Sequence, residues 1–543
     1  MTKTRGADLL AQPLLRAGVR QIFTLSGNHI MPVFDACFEA GIRLIHTRHE
    51  AAAVHMADSW ARVTGEVGVA MVTGGPGHAN AVSALYTARM AESPVVLLSG
   101  HAPNGQLGMG AFQEMDQAAV AAPLVKKASA LRSFNSVPAD VALALQRAKG
   151  GRPGPVQLNL PVDVLDATGS PEFEVGNESF EPPTQALQPA ACKSIRRHLE
   201  SASRPLILAG PAFCTRTGRQ RIAELRKACG IPIVCTESPR GINDPSLGAF
   251  AEMLAEADYV LLLGKRLDFT LSFGAAPAFS SRCRFMQIDP EWEEIERTQR
   301  AVGDRLVTKA LADPWAALDT IHACFAEEKR AADAWTKEVE AAVSYRPQAW
   351  PGRTDSGPLH AATVCAAVQP ILDSDPDAVF VSDGGEFGQW SQACLSARTR
   401  VMNGVAGSIG AALPFAIAAR LARPKAPVIA TLGDGTFGFH ASEMDTAVRY
   451  GLSFVAVVGN DACWNAEHQI QMREYGADRL VGCDLLPTRY DKVTEAFGGY
   501  GRIVTKRKEL APALNAALAS NLPSCVNVQI SNAPAPIVRR AAR

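Results

Sequence analysis

Neither sign of charge prevails in this chain. Lys and Arg together number 54, and so do Asp and Glu, which removes the electrostatic footprint of a nucleic-acid or anionic-membrane binder. No C-x-x-C pair occurs among the twelve cysteines; scattered thiols in a large chain read as reduced and mostly buried, not as a disulfide framework or zinc site. Long apolar runs are missing too: the stretch from Ile409 to Ala422 is short and holds Pro414, too little for a membrane span. The start, MTKTRGADLLAQPLLRAGV, lacks a long apolar core and is interrupted by Arg16, unlike a secretory signal, so a cytoplasmic protein is expected. There is no short repeat and no low-complexity tract. A dinucleotide oxidoreductase would need a glycine fingerprint after a strand and an acid about 20 residues on, and no strand supplies that cleanly. What is there is an ordinary globular composition, 47% hydrophobic and 20% charged, in 543 residues, enough for three or four domains.

Short apolar runs recur, each followed by a Gly- or Pro-rich turn and a helical pattern. RLIHT, VGVAMVT, PVVLLS and PVQLNLP come first, then PLILAG, IPIVCT, YVLLLG and FMQID, and finally AVFVSDG, PVIATLGDG, FVAVVGN and CVNVQI. Runs apolar on both faces and separated by helices are the mark of parallel strands covered on both sides. Two polar, Pro-rich stretches, 167–187 and 345–358, separate the groups. The expected fold is therefore α/β, with three doubly wound parallel-sheet domains at 1–166, 188–344 and 359–535, about four strands in each.

The strongest chemical signal is Gly433-Asp434-Gly435 at the end of strand PVIATL. A helical stretch, roughly 441–450, follows, and strand FVAVV then ends at Gly459-Asn460-Asp461. In a right-handed βαβ unit both strands open on the same edge. Asp434 and Asp461 should meet at one crevice there, as hard oxygen ligands suited to Mg²⁺. Glycines at 433 and 435 would let a diphosphate approach the backbone. Glu50 is the second signal, an acid where strand RLIHT gives way to a helix; an ordinary account exists, since carboxylates favour helix N-termini.

The block GDGTFGFHASEMDTAVRYGLSFVAVVGNDACWN resembles the diphosphate motif of thiamine-diphosphate-dependent enzymes, and RHEAAAVHMADSWARVTGEVGVAMVTGGPGHAN resembles their pyrimidine-binding domain. The resemblance implies pyrimidine-binding, central and diphosphate-binding domains in that order. It implies that Asp434 and Asp461 ligate the metal with their side chains and that Cys463 does so through its carbonyl. This chain departs from the family pattern at Asp461, where Asn is usual. By the same likeness Glu50 pairs with the aminopyrimidine ring and promotes loss of the C2 proton. Gly77 belongs to the family's Gly-rich loop, Gly407 would accept from the 4′-amino group, and Ile409 would wedge between the rings. For Ile409 plain helix core is the competing account.

Gly27-Asn28-His29-Ile30 and Gly110-Ala111-Phe112-Gln113-Glu114 resemble catalytic loops of benzaldehyde-lyase-like and acetolactate-synthase-like members. His29 and Gln113 match a polar pair that handles substrate hydroxyl and carbonyl, while His78 and His101 would only line the cleft. Other segments, GKRLDFTLSFG and LLPTRYDKVTEAFGG, look more like 2-hydroxyacyl-CoA lyases and oxalyl-CoA decarboxylases; the tail is short for a CoA site, although Arg539 and Arg540 could meet a phosphate. The likeness implies a C–C lyase or carboligase acting on a small carbonyl substrate, with acetolactate-synthase-like ligation or oxalyl-CoA-type decarboxylation as alternatives. It also implies a homodimer or homotetramer. FAD or ADP in the central domain stays open, because PLILAGPAFCTRTG lacks G-x-G-x-x-G.

Overall fold

Strands that bury both faces need helices on both sides. The computed structural model, which describes residues 4–170, 175–326, 332–350 and 357–540, has that arrangement three times. The first sheet runs Arg43–His46, Gln21–Thr24, Gly68–Val72, Val95–His101, Val156–Pro161, Lys127–Ala130. The central sheet runs Ile233–Cys235, Pro205–Ala209, Tyr259–Leu263, Arg284–Asp289, Leu306–Leu311. The third runs Thr399–Met402, Val379–Ser382, Val428–Gly433, Val455–Asn460, Ser524–Gln529, Tyr500–Val504. All neighbours within these sheets are parallel. The first and third sheets share one strand order, and the central sheet is a five-stranded variant of it.

Four strands per domain is an underestimate. The twelve runs leave out five strands: Gln21–Thr24 inside the first sheet, and Lys127–Ala130, Leu306–Leu311, Thr399–Met402 and Tyr500–Val504, which lie on sheet edges. An edge strand needs fewer apolar residues because one flank faces water. Lys127, Ala130 and Arg502 are accordingly exposed, and Leu306–Leu311 alternates between buried and less buried positions. The helix expected roughly over 441–450 is there as Glu443–Arg449, and a further short helix, Asp434–Phe439, precedes it.

The first and third domains are joined by two helices rich in small residues, Glu50–Thr64 and Ala412–Ala422. Ala52, Ala53 and Ala57 share one core with Ala412, Ala416 and Ala419, since alanines let helix backbones approach closely. The Ser59 hydroxyl donates to Phe415 O at 2.9 Å and the Arg62 guanidinium to Met402 O at 2.6 Å. Phe415 is fully buried in this seam, and truncating such a ring to alanine costs about 3–5 kcal/mol. The segment Ile409 to Ala422 is thus interdomain core, and among the described residues no helix is long and apolar enough to cross a membrane.

Candidate active site

Open α/β sheets bind ligands beyond the C-terminal ends of strands where the strand order reverses. In the first sheet those ends lead into Gly27–His29 and Thr73–Gly77; in the third they lead into Asp383–Glu386 and Asp434.

On the first sheet, Glu50 opens helix Glu50–Thr64, whose cap is His49: its Nδ1 accepts from Ala51 N–H at 3.1 Å. Glu50 is 9% exposed, and one carboxylate oxygen accepts from the Asn80 side chain at 3.1 Å. Gly77 sits beside it; a Cβ there would fall 2.7 Å from Thr73 Cγ2 and 3.6 Å from Glu50 Oε1. Thr73 also reaches the other way, with its hydroxyl 3.1 Å from His29 Nδ1. His29 is buried and stacks on Phe112, ring centres 5.8 Å apart; burial lowers its pKa. Gln113, at φ 57, presses against Gly75, where a Cβ would lie 2.8 Å from that of Gln113. Gln117 pins these loops, accepting from Gly75 N–H at 2.8 Å and donating to Gly100 O at 3.1 Å. Thr73 thus joins His29 to Gly77, which adjoins Glu50, and Gln113 meets the same Gly-rich loop at Gly75. His78 is buried with Nδ1 on Ser99 Oγ at 2.9 Å, and His101 holds Ala102 O at 3.0 Å.

On the third sheet, Val428–Gly433 and Val455–Asn460 are paired neighbours, Gly433 opposite Gly459. Gly433, Asp434, Gly435, Asp461, Cys463 and Ile409 line one cavity of about 70 Å³. Asp434 is buried, its Oδ2 makes no hydrogen bond, and burial pushes its carboxyl up to about 6. Burial first, and then the charge of Asp434, pushes Asp461 up to about 7; Asp461 accepts from Asn465 Nδ2 at 2.9 Å. The Cys463 thiol is pushed up to about 12 by burial, so it stays neutral. A Cβ on Gly435 would lie 2.5 Å from the Trp464 ring, whereas Gly433 has only Thr436 Oγ1 within reach, at 3.8 Å.

Gly407, at φ 67, is exposed, and Ile409 precedes helix Ala412–Ala422 instead of lying inside it. Ile409 is half-buried, packed so closely on Gly384 that a Cβ there would fall 2.6 Å from its Cγ2. Buried Asp383 braces this loop, accepting from the Gly410 and Ala412 amides at 3.0 Å each. Sequence reasoning missed Asn80, Thr73, Gln117, Asp383 and Trp464. Thr73 and Asp383 do end strands just before glycines, the one signal that could have found them.

Two expectations change. Arg540 pairs with Glu252 at 2.7 Å and stands 3.8 Å from Glu338, while Arg539 is exposed. Gly433, Gly435 and Gly438 do carry the G-x-G-x-x-G spacing after a strand. The intervening Asp434, buried with an unbonded oxygen, puts an acid where a dinucleotide pyrophosphate would need amides, which fits a cation instead.

The residues fit a metal and diphosphate. Two desolvated carboxylates with one orphaned oxygen ask for positive charge, and Mg²⁺ is held by one or two carboxylates plus phosphate oxygens and water. Among the described residues no group of three His, Cys, Asp or Glu forms a closed cage, so phosphate, water and backbone would complete the shell. None of the residues lining this cavity comes from the first domain.

Comparison with known proteins agrees with this geometry. The chain matches the thiamine pyrophosphate enzyme N-terminal TPP binding domain over 4–120, the central domain over 192–310 and the C-terminal TPP binding domain over 383–528. It is 34% identical to a probable acetolactate synthase of Mycobacterium bovis, covering 96% of this chain and 94% of that one. It is 30% identical to human 2-hydroxyacyl-CoA lyase 2, covering 93% of this chain and 86% of that one. With the strand-end acids, the glycine loops and all three domains matched in order, the chain belongs to the thiamine pyrophosphate enzyme family.

Proposed function

We propose that this protein is a lyase and carboligase that breaks or forms the C–C bond beside a carbonyl in 2-hydroxy ketones or 2-hydroxyacyl-CoA substrates, using thiamine diphosphate and Mg²⁺. The observation that carries the reading is the run of contacts from Glu50 through Gly77 and Thr73 to His29 and Phe112, with Gln113 against the same Gly-rich loop. Bound thiamine diphosphate supplies a nucleophilic carbon and an electron sink. Glu50, nearly dry, would hold the proton shared with the pyrimidine. His29, neutral at pH 7 because burial lowers its pKa, can take a proton from a substrate hydroxyl, as a general base should. Gln113 would orient the carbonyl, and Asp434 and Asp461 the metal, with Cys463 lending its carbonyl.

A cavity of about 780 Å³ between the central and third domains supports room for an extended anionic substrate: Arg240, Arg473 and Arg539 line it, and it shares Glu386 with the Asp434 cavity. At about 70 Å³ the Asp434 cavity has space for a cation and a few waters, not a two-ring cofactor. That supports a homodimer or homotetramer in which the partner's first domain completes the cleft. The similarity to a probable acetolactate synthase over nearly the whole chain favours a second reading, ligation of 2-oxo acids. Turnover on benzoin, a 2-hydroxyacyl-CoA, oxalyl-CoA and pyruvate, each with cofactor and Mg²⁺, decides. Cleavage of the first two with none of pyruvate is expected; pyruvate ligation alone would overturn the lyase reading.

A further inference from the structure

The central sheet reverses its strand order between Pro205–Ala209 and Tyr259–Leu263, the place where such a sheet takes a nucleotide. Four groups from two domains meet there. Arg152, 4% exposed and contributed by the first domain, donates to Gly264 O at 2.9 Å, Asp289 at 2.6 Å and Glu291 at 2.8 Å, and pairs with Glu92. Glu92, also of the first domain and 5% exposed, accepts from Ala212 N–H at 3.1 Å. Its backbone is left-handed, φ 56, an uncommon conformation for a residue with a side chain.

The four residues that follow Pro205–Ala209 have no free amide to offer a phosphate. Gly210 N–H donates to Leu263 O at 3.1 Å, Pro211 has none, Ala212 is taken by Glu92, and Phe213 donates to Gly210 O at 3.1 Å. The loops are also closed on each other, since a Cβ on Gly210 would lie 2.4 Å from Gly264 O. Charge points the same way. Arg152 and Arg266 are themselves taken up by Glu92, Asp289, Glu291 and Glu294, while Lys265 is committed to Asp268 at 3.3 Å and Thr270 at 2.7 Å. A diphosphate entering between these loops would meet the buried Glu92 and Asp289 carboxylates with their cationic partner Arg152 already engaged.

We infer that the protein fills its own nucleotide crevice: the Glu92 carboxylate occupies the anion seat on the Ala212 amide, Arg152 locks it there, and the central domain binds neither FAD nor ADP. This holds whichever carbonyl substrate the enzyme uses. The full chain, purified without added nucleotide, is denatured and its supernatant chromatographed for flavin and adenine nucleotide. Intact wild type and Glu92→Ser are then titrated with ADP and with FAD by calorimetry, alongside thermal melts. Wild type should release neither compound and show no binding heat or Tm rise. Glu92→Ser, with the amide vacated and one charge removed, should gain ADP binding by about tenfold or more, or 1.4 kcal/mol. Should the serine variant misfold, Glu92→Gln keeps the volume and removes the charge, and it too should bind ADP better than wild type. Stoichiometric flavin or adenine nucleotide on wild type overturns the inference, as does a folded Glu92 variant that binds ADP no better.

Discussion

Asn80 donates from its side-chain amide to Glu50 at 3.1 Å, tying helix Pro76–Met90 to the first residue of helix Glu50–Thr64. One carboxylate oxygen is thereby held while Oε1 faces the room that Gly77 leaves. Glu50→Gln keeps an oxygen for Asn80, so Tm should stay within a few degrees. The amide cannot share a proton with the cofactor, and exchange of the C2 hydrogen of bound thiamine diphosphate should slow by at least about a hundredfold, the scale of one acid–base contribution. Wild-type exchange in the variant would remove Glu50 from the mechanism.

His29 and Gln113 should separate kinetically. His29→Ala removes the base beside Thr73 and should lower kcat by about a hundredfold or more, while Gln113→Ala, which loses orientation of the carbonyl, should raise KM as well. Steady-state kinetics on the best substrate tests this. Equal, small effects of both variants would make the pair wall and not machinery.

Asp461 stands beside an Asp434 whose charge, after burial, helps raise its pKa to about 7. Asp461→Asn keeps one oxygen for the metal and relieves repulsion toward the diphosphate, so turnover should stay within about tenfold. Asp461→Ala should bind thiamine diphosphate poorly at fixed Mg²⁺. Titration of both by fluorescence quenching reads the difference; wild-type affinity in the alanine variant would leave the metal to Asp434.

The same residue sets a pH dependence of stability. A carboxyl whose folded pKa lies above its unfolded value of about 3.9 holds its proton better when folded, so folding loses stability as pH rises from about 4 through about 7. Burial lowers the pKa of His78 to about 4 and that of His29, which acts in the opposite sense between about 4 and about 6.5, so the comparison must be between variants. Without metal, the Tm advantage of Asp461→Asn over wild type should grow from pH 4 to pH 7 and level off above. A tenfold difference in proton affinity between the folded and unfolded chain is worth about 1.4 kcal/mol. A Tm difference constant with pH would mean that Asp461 is solvated like any surface acid.

Glu50→Gln and Asp434→Ala proteins, each inactive alone, should regain part of the activity after subunit exchange if a site takes Glu50 from one chain and the metal from another. Exchange shown by mass-labelled subunits with no recovered activity would put both halves within one chain.

Much of the site is local in the chain, and to that extent it could be read directly. Gly433-Asp434-Gly435 and Asp461 end neighbouring parallel strands, so covalent spacing and the handedness of a βαβ unit suffice to bring them to one edge. The buried strands announce themselves because both faces must be apolar. Four of the six edge strands, Lys127–Ala130, Leu306–Leu311, Thr399–Met402 and Tyr500–Val504, do not, since solvent on one flank relaxes that demand. Thr73 between Glu50 and His29, Asn80 on Glu50, Asp383 under Ile409 and Glu92 on Ala212 were decided only by tertiary structure. Each pairing joins segments far apart in sequence through sheet register and domain packing, and neither residue type nor spacing along the chain encodes which partner a polar side chain will meet.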